Sequence, residues 1–374
     1  MSTIDEAVRR GRDVSLEEAG AIVVGLAGLL LLGDLALGIL DGTYSIARTG
    51  RYLWQGLMYG LIIGLAGIGL SMTYSILNFA NFAHGDYITS GAFLGWGVTY
   101  LVAGWTAGVY EFGQLVLVSP TRGVGGPQLG IAATSTPLAV LVGALFAGVA
   151  TAAFVLLIDR VVYKPMRGAG GIPLLIASIG VAFALRYLVV FVYDQRTRGT
   201  TATLDLPSWE FLLVDGYITI DAHDLTLLFA SVGLMVGVHL LLQRTKLGKA
   251  MRAMSDNEDL ALVTGIPNEQ VVRWTWAIGG GLAGVAGYLM VLWTGTIDYQ
   301  FGWLLLLLIF AGVILGGIGS VYGAIAGGLV IGLAMRVSLI WLPGGDFTNV
   351  TAFLIMILVL LIKPSGIFGG KTTA

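Results

Sequence analysis

Residues 137–158 run for 22 positions without one charged side chain. A helix rising 1.5 Å per residue needs about 20 such residues to cross a bilayer core of roughly 30 Å. Comparable runs fall at 21–40, 52–77, 86–104, 172–193, 225–242, 271–293, 303–319, 321–342 and 349–362. They are continuously apolar, without the ten-residue polar and apolar alternation of a membrane β-barrel. In lipid the backbone must then satisfy its own hydrogen bonds as helix. The expected fold is all-α: a polytopic integral membrane protein of eight to ten transmembrane helices, some short or broken by glycine. Composition agrees, since only 11% of residues are charged against about 25% in soluble domains.

Other classes fall away on the same count. Net charge is −2 with no polybasic run, so nucleic acid is not an expected partner. There is no Cys, and His84, His223 and His239 stand far apart, so neither a metal site nor a bound cofactor is expected. Eight charged side chains within the first 20 residues are unlike a signal peptide. They read as a cytoplasmic extension, 1–20, before a membrane domain at 21–363 and a short tail at 364–374.

Orientation follows from Lys and Arg, which favour cytoplasmic loops. Loop 159–171 carries Arg160, Lys164 and Arg167, loop 243–273 carries five cations, and the tail carries Lys363 and Lys371. Loop 194–224 holds six carboxylates against Arg196 and Arg198 and belongs outside. Both termini are then cytoplasmic in a multi-pass cell-membrane protein, although Arg48 and Arg51 fall on the outer side. The acidic loop divides the chain near its middle. Each half has a glycine-interrupted stretch around a polar break, Asn81 to Asp86 and Gly316 to Tyr322, which fits inverted repeats and a central pathway.

The first break, Asn78 to Asp86, is unusually polar for membrane depth, where such side chains must face protein or a cavity. Asn78, Asn81, His84, Gly85 and Asp86 are candidates for lining a translocation path. Individually, Gly85 is expected to end one helix, Asp86 to cap the next, and His84 to bond backbone carbonyls. Asp34, Arg186 and Arg336 are the other charges within spans; an intramembrane Arg is a functional candidate by default, but each lies near a span end, where snorkelling makes anchoring an equal alternative.

Loop 243–273 is more elaborate than a connection needs. Leu247, Met251 and Met254 form one helical stripe, with Lys249 and Arg252 beside it. Ser255 and Glu258 have capping-box spacing, Leu260, Val263 and Thr264 share a face, and Gly265 with Pro267 stops the helix. The reading is a separately capped helix through Ala261, presented to a cytoplasmic partner. Gly279-Gly280-Gly281-Leu282-Ala283-Gly284 matches G-x-G-x-x-G inside a span, which suits helix packing better than nucleotide binding. The tail around Gly366–Thr372 departs from a P-loop, because Ser365 stands where the first glycine belongs. Neither G-x-S-x-G nor H-E-x-x-H occurs, so no enzyme is expected.

Four stretches resemble the branched-chain amino acid ABC importer permeases. They are Asn81-Phe82-Ala83-His84-Gly85-Asp86-Tyr87 with Ser90-Gly91-Ala92-Phe93; Leu247-Gly248-Lys249-Ala250-Met251-Arg252-Ala253 with Gly265-Ile266; Leu315-Gly316-Gly317-Ile318-Gly319-Ser320; and Lys363-Pro364-Ser365-Gly366-Ile367-Phe368-Gly369. They stand in the family's order across residues 52–370. The extension at the start, an insert around 105–136 and loop 194–224 look like additions. The resemblance implies a membrane-spanning permease for hydrophobic amino acids or related small amides such as urea. Its partners would be a second related permease, separate ATPase subunits docking on loop 243–273, and an extracytoplasmic solute-binding protein. The rival readings are a stand-alone secondary transporter or channel for small polar solutes, coupled through Asp34 or Asp86, and a membrane-embedded enzyme.

Overall fold

The computed structural model describes residues 16–108, 112–113, 117, 126–202, 206–342, 344–345 and 347–368. Most of the expected extension at 1–20, part of the insert at 105–136 and the end of the tail lie outside the described residues. Ten helices overlap the ten apolar runs: α1 (Leu16–Leu40), α2 (Ile46–Leu77), α3 (His84–Thr106), α4 (Pro137–Ile158), α5 (Gly171–Tyr193), α6 (Ala222–Arg244), α9 (Asn268–Thr294), α10 (Phe301–Gly316), α11 (Val321–Val337) and α12 (Phe347–Ile362). Among the described residues six of them, α2, α4, α5, α6, α9 and α11, belong to helical stretches long and apolar enough to cross a membrane, and the others are shorter or less apolar. Two short helices, α7 (Lys246–Asp256) and α8 (Glu258–Val263), occupy the loop between α6 and α9. The architecture is therefore an all-α polytopic bundle.

α2 and α9 are mostly buried inside the protein, whereas α4, α5 and α6 leave most of their apolar surface outward. Lipid is as apolar as leucine, so close helix contact here rests on small residues and van der Waals packing. On α2, Gly56, Gly60 and Gly64 recur every four residues and meet α11 at Gly328 and Gly332. A Cβ on Gly332 would stand 2.3 Å from the Gly60 nitrogen. α9 uses the glycine-rich motif in the same way: Gly279 meets Gly69 of α2, and Gly284 lies against Ala147 and Thr151 of α4.

The acidic loop 194–224 is not purely irregular. Strand β1 (Arg198–Gly199) pairs with β4 (Thr296–Ile297) beyond α9, and β2 (Ser208–Leu213) with β3 (Gly216–Asp221) makes an antiparallel hairpin. Trp209, Phe211 and Leu213 share one face with Ile220, Ile218 and Gly216, their register partners. That alternation was there to be read, but the loop's six carboxylates masked it. At the hairpin turn, Asp215 accepts the Ile46 and Ala47 N–H groups at 2.6 and 3.0 Å, satisfying the exposed start of α2.

Candidate functional site

The first break begins one residue after α2. Asn78 takes the left-handed conformation (φ 52°, ψ 35°) and its N–H bonds the Tyr74 carbonyl. Asn tolerates that region because its short amide bonds locally. Five non-helical residues follow, and α3 starts at His84. Gly85 therefore does not end a helix, and Asp86 does not cap one: both lie in the first turn of α3. Gly85 is small for a packing reason, since a Cβ there would stand 2.7 Å from the Gly302 carbonyl oxygen of α10.

Neighbours far away in sequence satisfy several of the break's polar groups. The Phe82 N–H bonds Ser178 Oγ of α5 at 3.0 Å. Asn81 Oδ1 accepts from the Ala83 N–H at 3.1 Å and from the Tyr163 hydroxyl at 3.4 Å, and Tyr163 meets the Tyr87 hydroxyl at 3.1 Å. His84 Nε2 bonds the Ala66 carbonyl at 2.9 Å, as its expected structural role requires. Asn81 is fully buried, yet its Nδ2 has no partner among the described residues. Leaving such a donor unmet costs about 1–3 kcal/mol. Asn78 itself stands exposed at the rim.

Asp86 is 1% exposed and receives a two-pronged pair from Arg186 of α5, Nε to Oδ1 at 3.1 Å and Nη2 to Oδ2 at 2.9 Å. The guanidinium also stacks over Trp303 at 4.5 Å and Phe183 at 5.5 Å. Arg186 thus points into the protein instead of snorkelling, because its partner lies inside. The pair also leaves Asp86 a poor coupling carboxylate for a secondary transporter. Asp34, the other candidate, is exposed and accepts from Tyr44 and Trp341. Arg336 lies 5.0 Å over the Tyr59 ring. Beside the break lies an apolar cavity of about 440 Å³, walled by Ala80 and Phe82, by Leu70 of α2, Leu175 of α5, Phe310 of α10 and Phe353 of α12.

The second break separates α10 from α11. Gly317 and Gly319 take φ of 106° and 88°, a region costly for other residues, and Ser320 caps α11 by accepting the Gly323 N–H at 3.0 Å. The tail returns to this point: the Ile367 and Phe368 N–H groups bond the Leu315 and Gly316 carbonyls at 2.8 and 2.9 Å. Two of the four motif stretches therefore form one structural unit.

On α7 the stripe holds as expected, with Met251 and Met254 buried against the bundle. The cap of α8 differs. Ser255 lies in the last turn of α7, and Asn257 is the N-cap, its Oδ1 accepting the Leu260 N–H at 2.9 Å. Glu258 instead accepts from Asn268 Nδ2 at 3.3 Å. The far end closes as expected on Gly265 at φ 84°, where Ile266 N–H to Ala261 O and Gly265 N–H to Leu262 O complete a Schellman motif. Ala261 anchors this helix inward at 2% exposure, while Leu260, Leu262 and Val263 are 59%, 52% and 81% exposed. A hydrogen-bond chain leads from this loop to the second break. Arg252 Nη1 bonds Gln243 Oε1 at 3.1 Å, and Gln243 Nε2 bonds the Tyr322 hydroxyl at 3.2 Å, two residues past Ser320. Lys249 is exposed beside it.

No cluster of three or more His, Asp or Glu with metal-ligand geometry occurs among the described residues. Over 322 residues the chain is 29% identical to the high-affinity branched-chain amino acid transport system permease protein BraD of Pseudomonas aeruginosa, covering 85% of this chain and 95% of that one. It is 28% identical to the permease protein LivH of Escherichia coli, with the same coverage. The probable LivH of Methanocaldococcus jannaschii is 29% identical over 84% of this chain and 90% of its own length. No solved structure matches the chain. The family model described as branched-chain amino acid transport system / permease component matches residues 52–361, spanning both breaks and the capped loop, and the chain belongs to that family.

Proposed function

We propose that this chain is the membrane-spanning permease subunit of an ABC importer. It would carry branched-chain or similar hydrophobic amino acids delivered by an extracytoplasmic solute-binding protein, beside a second related permease. Energy would come from separate ATPase subunits, so ATP hydrolysis lies outside this chain. The observation that carries the reading is α8: a six-residue helix, capped at both ends and anchored by Ala261, that holds three apolar side chains out of the bundle. Such an apolar patch is costly in water and suits a protein groove. Lys249, Arg252 and Glu258 supply charge at its margin. The hydrogen-bond chain through Gln243 and Tyr322 ties this loop to the second break, which gives docking a direct route into the bundle.

In this scheme 1–20, loop 243–273 and 364–374 face the cytoplasm of a cell-membrane protein, and 194–224 faces the binding protein. The break at Asn78–Asp86 borders the translocation path. The unmet Asn81 amide would offer a donor to a passing carboxylate, and the adjoining 440 Å³ apolar cavity could hold an aliphatic side chain. The test is reconstitution into liposomes with the cognate ATPase, partner permease and binding protein, scored by uptake of radiolabelled leucine. Uptake is expected only with ATP inside and binding protein outside. Uptake by this chain alone, driven by an ion gradient, would favour the secondary transporter.

A further inference from the structure

At the end of α4 the helix widens into one π turn, Asp159–Tyr163, where the apolar run gives way to charge. Two cavities adjoin there, between α4 and the start of α9. The larger, about 880 Å³, is walled by Leu157, Asp159, Arg160, Lys164, Glu269 and Arg273. The smaller, about 380 Å³, runs along Leu156, Gln270, Arg273, Trp274 and Ala277. Leu156 and Arg273 line both, so a charged chamber opens into a largely apolar groove.

The charges in the chamber do not cancel. Arg167 holds both oxygens of Asp159 at 2.7 Å and reaches Glu269 at 2.8 Å, and Lys164 meets Glu269 at 2.9 Å. Both carboxylates are thereby taken. Among the described residues Arg160 has no ion pair or hydrogen bond, and Arg273 uses only Nε, on the Glu269 carbonyl at 3.2 Å. Four cations against two anions leave two open guanidiniums at the boundary of two spanning helices. Trp274, 55% exposed and nearly two turns into α9, marks the interfacial depth at which tryptophan settles.

We infer that these joined cavities bind one anionic phospholipid. Its phosphodiester lies between Arg160 and Arg273, and one acyl chain lies along Leu156, Trp274 and Ala277. A free phosphate would satisfy the guanidiniums but leave the groove unused. A zwitterionic lipid would bring an ammonium into a site already two charges positive. The site needs only that α4 and α9 cross the bilayer, and it stands whether or not the importer reading holds.

The test uses the full chain in nanodiscs of phosphatidylcholine doped with lipid brominated on its acyl chain. Quenching of Trp274 is read as the difference between wild type and Trp274→Phe. Each interfacial cation is worth a factor of about five, so brominated phosphatidylglycerol should half-quench at roughly 25-fold lower mole fraction than brominated phosphatidylcholine. In Arg160→Gln/Arg273→Gln the preference should fall to within about threefold. In wild type it should also weaken as salt rises from about 0.05 to 0.5 M, an arm that needs no variant. Inorganic phosphate at millimolar concentration should leave quenching unchanged. Equal quenching by the two lipids, a preference that survives the double substitution, or one indifferent to salt would overturn the proposal. So would displacement by inorganic phosphate, and so would loss of quenching on adding the ATPase subunits, which would make the occupant a protein.

Discussion

Alanine at Gly302 tests how the first break is packed. A Cβ there falls 2.2 Å from the Gly85 carbonyl oxygen and 2.3 Å from Thr89 Oγ1. Ordinary contact begins near 3.4 Å, so α3 and α10 must part by about 1.2 Å where they cross. The Thr89 hydroxyl, bonded to that same Gly85 carbonyl at 3.3 Å, must also turn away. Overpacking of this kind costs about 1–3 kcal/mol, with backbone contacts toward the upper end. Alanine recovers about 1 kcal/mol of helix propensity, leaving a net loss of about 1–2 kcal/mol. Gly233 of α6 is the control, because a Cβ there meets nothing within 4 Å. Gly233→Ala should gain up to about 1 kcal/mol, so the two variants shift in opposite directions. Unfolding in mixed dodecylmaltoside and SDS micelles, followed by circular dichroism, measures both. Gly302→Ala as stable as Gly233→Ala would refute the close crossing.

Three further outcomes are expected. Arg186→Leu should cost about 3–5 kcal/mol in the same assay by stranding the Asp86 carboxylate, and Asp86→Leu/Arg186→Leu should recover more than half of it; equal losses would mean the pair is not coupled. Asn257→Ala should destabilise α8 by about 1 kcal/mol, seen as faster hydrogen exchange at the Leu260 amide, whereas Ser255→Ala should leave that amide unchanged. The Ala47 N–H, helped by Ser45 and Ile46, holds the Asp215 carboxyl below the ordinary carboxylate range. Its folded value lies under its unfolded one, so its stabilisation is present above about pH 4 and drains away as pH falls through the folded value. Asp215→Asn should therefore flatten the acid limb of the melting profile, and an unchanged limb would count against that cap.

What the sequence revealed tracks the range of the interactions involved. The spans were legible because twenty apolar residues and an internally bonded backbone are local requirements. The Schellman end of α8 was legible because Gly265 and Pro267 act within three residues of each other. The N-cap was misplaced by two residues, since Ser255, Asp256 and Asn257 are all competent caps and α7 runs on through Asp256. Gly85 looked like a helix terminator because its true constraint, the Gly302 backbone, lies more than 200 positions along the chain. Anchoring and function stood as equal alternatives for Arg186 for the same reason, with Asp86 a hundred residues away. Hydropathy scores each residue alone, so the hairpin's apolar face disappeared among its carboxylates. The tail's docking on the second break likewise left no local trace beyond Gly366 and Gly317.

If α8 seats an ATPase subunit, as proposed, the absence of cysteine from the sequence makes the contact directly measurable. A single cysteine at Val263, carrying a benzophenone, should crosslink to the ATPase subunit on illumination of the assembled transporter. The same label at Val232, exposed on α6 within the bilayer, should not. Excess ATPase bearing no label-reactive cysteine should leave the Val263 product specific to that subunit. Equal crosslinking from both positions, or none from Val263 in a complex that still transports leucine, would contradict the docking role of α8.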